Sequence, residues 1–184
     1  KVVGLILLGN GTEEILTANA STNISFTDCV FAQGNDFPFL SASAGATVNI
    51  IDSSFVATGI ATANGINVSG GNVNLSNCSI ISNVPSGVFS LISGGSLSVY
   101  RSILASTITI SGGTFNAYQS TLATSTGPVL QIGAFNFATL YDCKISSSAG
   151  TNCIEGSGTV QYSNLVFNNT QKGIDNTITL TPYQ

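Results

Sequence analysis

Two aspartates, Asp28 and Asp52, are the residues whose type and spacing best suit acid–base chemistry. They are 24 residues apart, which is one period of the repeat described below. In a chain that coils with this period they would occupy the same corner of successive coils, about 4.8 Å apart along the backbone. Retaining glycosidases need two carboxyl groups about 5 to 5.5 Å apart and inverting ones about 6.5 to 9.5 Å apart. The pair is therefore a candidate catalytic site for polysaccharide degradation.

Other features of the sequence argue against an enzyme. The chain has no histidine, which removes the commonest general base. No third acid, aromatic floor or long loop accompanies the aspartates, and no cluster joins Lys or Arg with acids. The absence of histidine and of a C-x-x-C pattern also argues against a metal site. We therefore expect a protein without catalytic residues, metal or cofactor, and keep an enzyme using Asp28 and Asp52 as an alternative.

Three tyrosines form a second candidate site. Tyr100, Tyr118 and Tyr141 each lie two residues before the central small residue of a repeat unit, which predicts a tyrosine ladder on the outside of one corner. Such a ladder can lock neighbouring coils together, bury itself against another copy of the chain, or stack on sugar rings. Arg101 and Lys144 flank the tyrosines. These five residues are the candidate binding or assembly surface, and all three roles stay open.

The repeat that positions both sites is clearest in residues 70–80, G-G-N-V-N-L-S-N-C-S-I. The unit begins with a glycine pair, followed by two apolar residues that alternate with polar ones. Two polar residues come next, then a small residue, and two positions after it an apolar residue. We call the small residue the anchor. The anchors recur at intervals of 18 to 25 residues, at Cys29, Ser53, Cys78, Ser102, Ser120, Cys143 and Leu165. A period of this size is typical of a solenoid.

The apolar residues of the unit change parity in its middle. Val73 and Leu75 share one parity, whereas Cys78 and Ile80 share the other, so the strand must bend between the pairs for all four to point inward. The residue before each anchor, here called the corner residue, is mostly Asp or Asn, which tolerate the left-handed conformation best after glycine. The corner residues are Asp28, Asp52, Asn77, Arg101, Gln119, Asp142 and Asn164. Each coil is predicted to run strand, glycine turn, strand, polar corner, strand.

This pattern resembles the right-handed parallel β-helix of pectate-lyase-like proteins and of bacteriophage tailspikes and tail fibres, in which an asparagine ladder stacks at the corner. The resemblance covers roughly residues 20–170 and includes no catalytic signature. It implies an all-β, single-stranded right-handed parallel β-helix of about seven to eight coils with about 22 to 25 residues each. We expect one domain over 1–184, with a first coil or edge at 1–22, regular coils at 23–167 and a closing or partner-contacting strand at 168–184.

Composition narrows the partners. Only 7% of the 184 residues are charged and the net charge is −4. Four Lys and Arg residues cannot form the basic surface that phosphate binding needs, so nucleic acid is not an expected partner. Ser, Thr and Asn take the place of charge, as suits hydroxyl and amide ladders on a solenoid surface. The aliphatic run at residues 2–8 is too short to span a bilayer and is predicted to be a buried strand.

The four cysteines are predicted to be mostly unbridged. Cys29, Cys78 and Cys143 are anchors, which indicates buried small side chains. Cys29 and Cys78 would lie two coils apart, beyond the separation that a disulfide accepts. A bridge between Cys143 and Cys153 is the one pairing left open.

The function expected from these features is that of a non-enzymatic structural and adhesive fibre module, similar to a viral or phage tail fibre. It would assemble with itself as a homotrimer, contact a host-surface glycan or protein, and lie in a virion fibre or on the extracellular cell surface. A subunit of a prokaryotic surface filament, built by end-to-end stacking of solenoids, is one alternative. The glycan-degrading enzyme is the other.

Overall fold

The computed structural model describes residues 1–9, 13–33, 38–57, 65–82, 88–148, 152–168, 173–175 and 177–182. It is an all-β parallel solenoid, and no helix occurs in these ranges. Between the corners at Asp28 and Asn164 the chain makes about six turns. With the partial coils at both ends, this agrees closely with the seven to eight coils predicted. Of the predicted C-terminal segment 168–184, residues 169–172, 176, 183 and 184 lie outside the described residues.

The described residues contain 21 strands, all short except those of the central coils. In chain order they are β1 (Val2–Val3), β2 (Ile6–Leu8), β3 (Leu16–Ala18), β4 (Asn23–Thr27), β5 (Val30–Gln33), β6 (Leu40–Ala42), β7 (Thr47–Ile51), β8 (Ser54–Ala57), β9 (Ile66–Ser76), β10 (Ser79–Ser82), β11 (Val88–Tyr100), β12 (Ile103–Ala105), β13 (Thr107–Tyr118), β14 (Thr121–Thr124), β15 (Leu130–Ile132), β16 (Phe137–Tyr141), β17 (Lys144–Ser147), β18 (Ile154–Gly156), β19 (Thr159–Ser163), β20 (Val166–Phe167) and β21 (Thr179–Pro182).

The strands form three faces. The post-corner face is an eight-stranded sheet in the order β2-β5-β8-β10-β12-β14-β17-β20. The pre-corner face contains β1, β4, β7, the second halves of β9, β11 and β13, and then β16, β19 and β21. The third face contains β3, β6, the first halves of β9, β11 and β13, and then β15 and β18. The pre-corner and third faces belong to one thirteen-stranded sheet, because β9, β11 and β13 run through both.

The glycine turns behave differently from the prediction in the central coils. A break between two strands was expected at each Ser-Gly-Gly, but β9, β11 and β13 continue through it, with shifts in register on either side of Gly94. The glycines therefore bend a continuous strand. Separate strands and a true turn occur in the outer coils, for example between β6 and β7.

The core consists of columns of apolar side chains that stack from coil to coil. One such column on the pre-corner face is paired in register and fully buried: Val48, Val73, Leu97, Phe115, Ala138 and Val160. On the post-corner face the rings of Phe31 and Phe55 stack with centroids 4.7 Å apart. Since each inward side chain contacts its equivalents above and below, burial of apolar surface and the strand register support each other.

The prediction of a single buried strand at residues 2–8 was wrong. The run divides into β1 and β2 at Gly4, whose φ of 68° makes it a corner, and Val3 pairs with Thr27 while Ile6 pairs with Val30. Because successive residues of a strand point to opposite faces, Ile6 and Leu8 face outward, as their partners Val30 and Ala32 do. Ile6 is 70% exposed and Leu8 is 74% exposed.

Replacing Gly95 by alanine is expected to lower the free energy of unfolding by about 1–3 kcal/mol. Gly95 has a φ of 71°, and a Cβ there would clash with the backbone carbonyl of Gly71 in the preceding coil. The measurement is urea unfolding followed by circular dichroism. Gly127→Ala is the control, because the nearest atom to a Cβ at that position is 4.0 Å away, and it should change stability by less than about 0.5 kcal/mol. Equal effects from both variants would contradict the close packing of the glycine bends.

Candidate functional site

The corner residues are the geometric basis of both candidate sites. All seven predicted corners adopt the left-handed conformation, with φ between 48° and 54°, which confirms the prediction. Their side chains bond between coils: the Asn77 amide donates to Asp52 Oδ1 at 3.0 Å, and the Asn164 amide donates to Asp142 Oδ1 at 2.7 Å. Arg101 and Gln119 are not residue types that favour this conformation. Their side chains bond to each other instead, from Arg101 Nε to Gln119 Oε1 at 3.0 Å.

Asp28 and Asp52 lie at successive corners, as the period predicts. The Asp28 N–H donates to the carbonyl of Ile51 at 3.2 Å, which ties the two corners together. Both aspartates are exposed, and with Asn77 they line one open surface groove on the post-corner side of the corner. The amide of Asn77 occupies an oxygen of Asp52, as in an ordinary corner ladder. Within the described ranges no three His, Cys, Asp or Glu side chains are grouped as metal ligands.

The anchor serines form a hydrogen-bonded column inside the corner, which the sequence did not reveal. Ser53, Ser102 and Ser120 are buried. The Ser102 hydroxyl donates to the carbonyl of Tyr100 at 2.8 Å and accepts the N–H of Cys78 at 2.9 Å. Ser53 and Ser120 make the same pair of bonds. Each hydroxyl donates to the carbonyl two residues before it and accepts the N–H of the preceding anchor, Cys29 and Ser102 respectively. Each buried hydroxyl therefore replaces a backbone partner that is lost where the chain turns.

The four cysteines lie in the interior of the solenoid. All four are buried free thiols, so Cys143 and Cys153 are not bridged, and the prediction of buried anchor cysteines is confirmed. Burial raises the pKa of Cys78 and of Cys143 above the usual thiol range. Since the thiolate is the nucleophilic form, a raised pKa leaves these two side chains protonated and unreactive near neutral pH.

The three tyrosines are aligned in register on one face, as predicted. Tyr118 pairs in register with Tyr100 on one side and with Tyr141 on the other. Tyr100 is 39% exposed, whereas Tyr118 and Tyr141 are half-buried. The guanidinium carbon of Arg101 lies 4.8 Å from the Tyr100 ring centroid, which is within the range of a cation–π interaction.

Lys144 does not share the face of the tyrosines. It follows the corner and pairs in register with Thr121 and Val166 on the post-corner face. The five predicted residues therefore do not form one surface. Arg101 lies against Tyr100 beside the pre-corner face, whereas Lys144 lies on the post-corner face.

The outer side of the pre-corner face is a grid of amides and hydroxyls next to the tyrosines. The Asn74 amide donates to Asn49 Oδ1 at 2.9 Å, and the Ser96 hydroxyl donates to Asn72 Oδ1 at 2.7 Å. These bonds join side chains of successive coils, as expected of polar ladders on a solenoid. The grid is fixed in position because each member is part of an in-register strand.

The outer side of the post-corner face is mostly aliphatic instead, with polar side chains at its remaining described outward positions, namely Ser54, Ser79, Thr121, Lys144 and Ser146. Ile6, Leu8, Ile103 and Val166 occupy outward positions and are 51–74% exposed. Smaller outward residues lie half-buried between them: Val30, Ala32, Val56, Ala105 and Ala123. Sequence reasoning missed this face because the alternation within the repeat was used only to find the inward residues.

The repeated corners, the anchor column and the in-register faces together define a parallel β-solenoid repeat protein. No protein-family model, no curated protein and no solved structure matches the chain. In the described residues, no helix is long and apolar enough to cross a membrane.

Tyr118→Ser is expected to lower the free energy of unfolding by about 1–2 kcal/mol, because it removes a half-buried ring that lies in register between Tyr100 and Tyr141. Tyr118→Phe keeps the ring and serves as the control, with stability close to that of the unmodified chain. Thermal unfolding measures the stability, and light scattering of the same samples measures assembly. If Tyr118→Ser leaves the assembled mass unchanged, the ladder is not a contact between subunits.

Proposed function

We propose that this chain is a non-enzymatic structural and adhesive module, of the kind that forms viral or phage tail fibres, and that its copies associate side by side. The observation that supports this proposal best is the group of exposed aliphatic side chains on the outer side of the post-corner face, which is mostly aliphatic. A trimer is the expected assembly, in a virion fibre or on an extracellular surface.

Side-by-side association would remove an exposed apolar surface from water. Ile6, Leu8 and Ile103 are more than half exposed and lie on the outer side of one eight-stranded sheet. Three side chains separate Ile6 from Ile103 along this side, namely Val30, Ser54 and Ser79. Each Å² of apolar surface buried contributes about 25 cal/mol, and contiguous exposed apolar patches are typical of interaction sites. Among the outward positions on the described strands of this face, Lys144 is the single charged residue. Little charge would therefore have to be desolvated.

The pre-corner face suits the adhesive part of the proposal. Its outer side combines the tyrosines with rows of amide and hydroxyl groups at fixed spacing. Aromatic rings next to hydrogen-bonding groups can contact either a glycan or a protein on a host surface.

End-to-end stacking into an extracellular prokaryotic filament is a second arrangement. The observation that favours it is the 50% exposure of Leu5, which follows the Gly4 corner at the place of an anchor and would be covered by a further coil. This arrangement would use the strand edges at β1 and β2 and would leave Ile103 in solvent. The two arrangements can therefore be separated by a substitution at Ile103.

Ile103→Lys is expected to dissociate side-by-side assemblies into single chains, because it places a charge in the centre of the mostly aliphatic face. The matched control is Asn23→Lys, which adds the same charge at an exposed outward position on the pre-corner face. Assembly is measured by light scattering, with negative-stain imaging of the same samples. Three-chain particles lost only in Ile103→Lys support the proposal. Filaments one chain wide that survive this substitution favour end-to-end stacking, and a single-chain mass for the unmodified protein contradicts both.

The glycan-degrading enzyme remains a separate candidate because Asp28 and Asp52 line one groove. On our proposal the protein releases no reducing ends from a broad panel of neutral and acidic polysaccharides. Turnover that is abolished by Asp52→Asn, with the fold intact by circular dichroism, would overturn the proposal of a non-enzyme. Asp175→Asn is the control, since Asp175 lies outside the groove.

A further inference from the structure

Phe135 combines two unfavourable features at one position. Its side chain is fully exposed, at 105% of the reference area, and its backbone has a φ of 64°. A left-handed conformation is rare for a bulky residue, and a position that keeps such a conformation is a candidate for function.

Equivalent turns in other coils show what this position requires. The turn at 133–136 is closed by a bond from the Asn136 N–H to the carbonyl of Gly133, at 3.2 Å. Turns 19–22 and 43–46 are closed in the same way, and their third residues, Ser21 and Gly45, also have positive φ, 69° and 80°. The geometry favours glycine at the third position. Folding alone therefore does not account for a phenylalanine there.

The turn holds Phe135 in a fixed position. The Asn136 amide donates to the carbonyl of Ile110 at 3.2 Å, and the Gly133 N–H donates to the same carbonyl at 2.8 Å. On the other side, the Thr159 N–H donates to the carbonyl of Asn136 at 3.0 Å. The exposed ring is thus carried by a turn that is bonded to the coils before and after it.

An open groove adjoins this turn at Gly133, two residues before Phe135, which is not itself in the lining. It lies along the third face and is lined by Gly133 and by Thr109, Ser111, Gln131 and Glu155. The Thr109 hydroxyl donates to Gln131 Oε1 at 3.2 Å, which orients the amide. Within the described residues neither the Gln131 amide nitrogen nor the Glu155 carboxylate has a hydrogen-bond partner.

We infer that Phe135 and this groove form a binding site for a neutral oligosaccharide. The ring offers an apolar surface to the C–H face of a sugar, the Gln131 amide donates to hydroxyl oxygens, and the Glu155 carboxylate accepts from hydroxyl groups. Glu155 is the charged residue of the groove, with no cation lining it, so an anionic sugar would be repelled. This inference rests on the adhesive part of the proposed function and is independent of how the copies assemble.

The decisive variant is Phe135→Gly, measured for both stability and binding. Relief of the positive φ is expected to raise Tm by about 2–4 °C, while the dissociation constant for the sugar rises at least about tenfold. Stability that increases while binding is lost is the signature of a residue kept for function. The matched control is Ser21→Gly, which relieves the same turn geometry far from the groove. It should also raise Tm but leave binding unchanged.

The probes are cello-, malto- and chito-oligosaccharides, with oligogalacturonate as the anionic comparison, titrated at millimolar concentration by calorimetry. Binding of a neutral series that is weakened by Phe135→Gly and by Gln131→Ala supports the site. Absence of binding by the unmodified protein, equal binding by Phe135→Gly, or preference for oligogalacturonate would overturn it.

Light scattering of the same samples separates this site from the proposed assembly. A lower assembled mass for Phe135→Gly without any sugar binding would show that a second copy occupies the site, and would also overturn the inference. If no sugar binds but the chains still assemble, the binding site is refuted and the proposed assembly is not. If sugar binds but the chains do not assemble, the proposed assembly is refuted and the binding site is not.

Discussion

The left-handed corner is the constraint on which the rest of this structure depends. At each corner one residue inverts the alternation of side chains, so apolar residues before and after the bend both reach the interior. This conformation is costly for most residues, and the chain meets the cost with Asp and Asn at five of the seven predicted corners and with bonds between corner side chains at others. The buried serine anchors then supply backbone partners where the strand is interrupted.

The same inversion gives the solenoid two outer surfaces of different chemistry. Residues that alternate with the core before the corner are amides, hydroxyls and tyrosines, and those after it are mostly aliphatic. Every second residue of a strand faces outward and takes no part in the core. The residue types of the two outer surfaces can therefore change in evolution without changing the core. Cohesion between copies and contact with other molecules can therefore be adjusted separately in one repeat unit.

The features that recur with the period could be predicted from the sequence. The seven corners, the buried anchors and the alignment of Tyr100, Tyr118 and Tyr141 all follow from counting residues between equivalent positions. Features that occur in only one coil could not be predicted from the sequence. The corner at Gly4 was hidden inside an aliphatic run, and in the turn at 133–136 the positive φ falls on Phe135 rather than on Gly133 or Asn136. The bonding role of the anchor serines needed atomic positions, since serine and cysteine at that place look alike as small residues.

The coils differ most in length at the vertex between the post-corner and third faces. Residues 58–65 separate β8 from β9, whereas Ser106 alone separates β12 from β13. Even so, the tyrosines of the short coil stay in register with their neighbours. Insertions and deletions at this vertex leave the spacing of the corner and of both outer surfaces intact. Evolution can thus lengthen connections there, or duplicate a whole coil, and obtain a longer rod that presents more copies of the same surfaces, with avidity increasing by repetition.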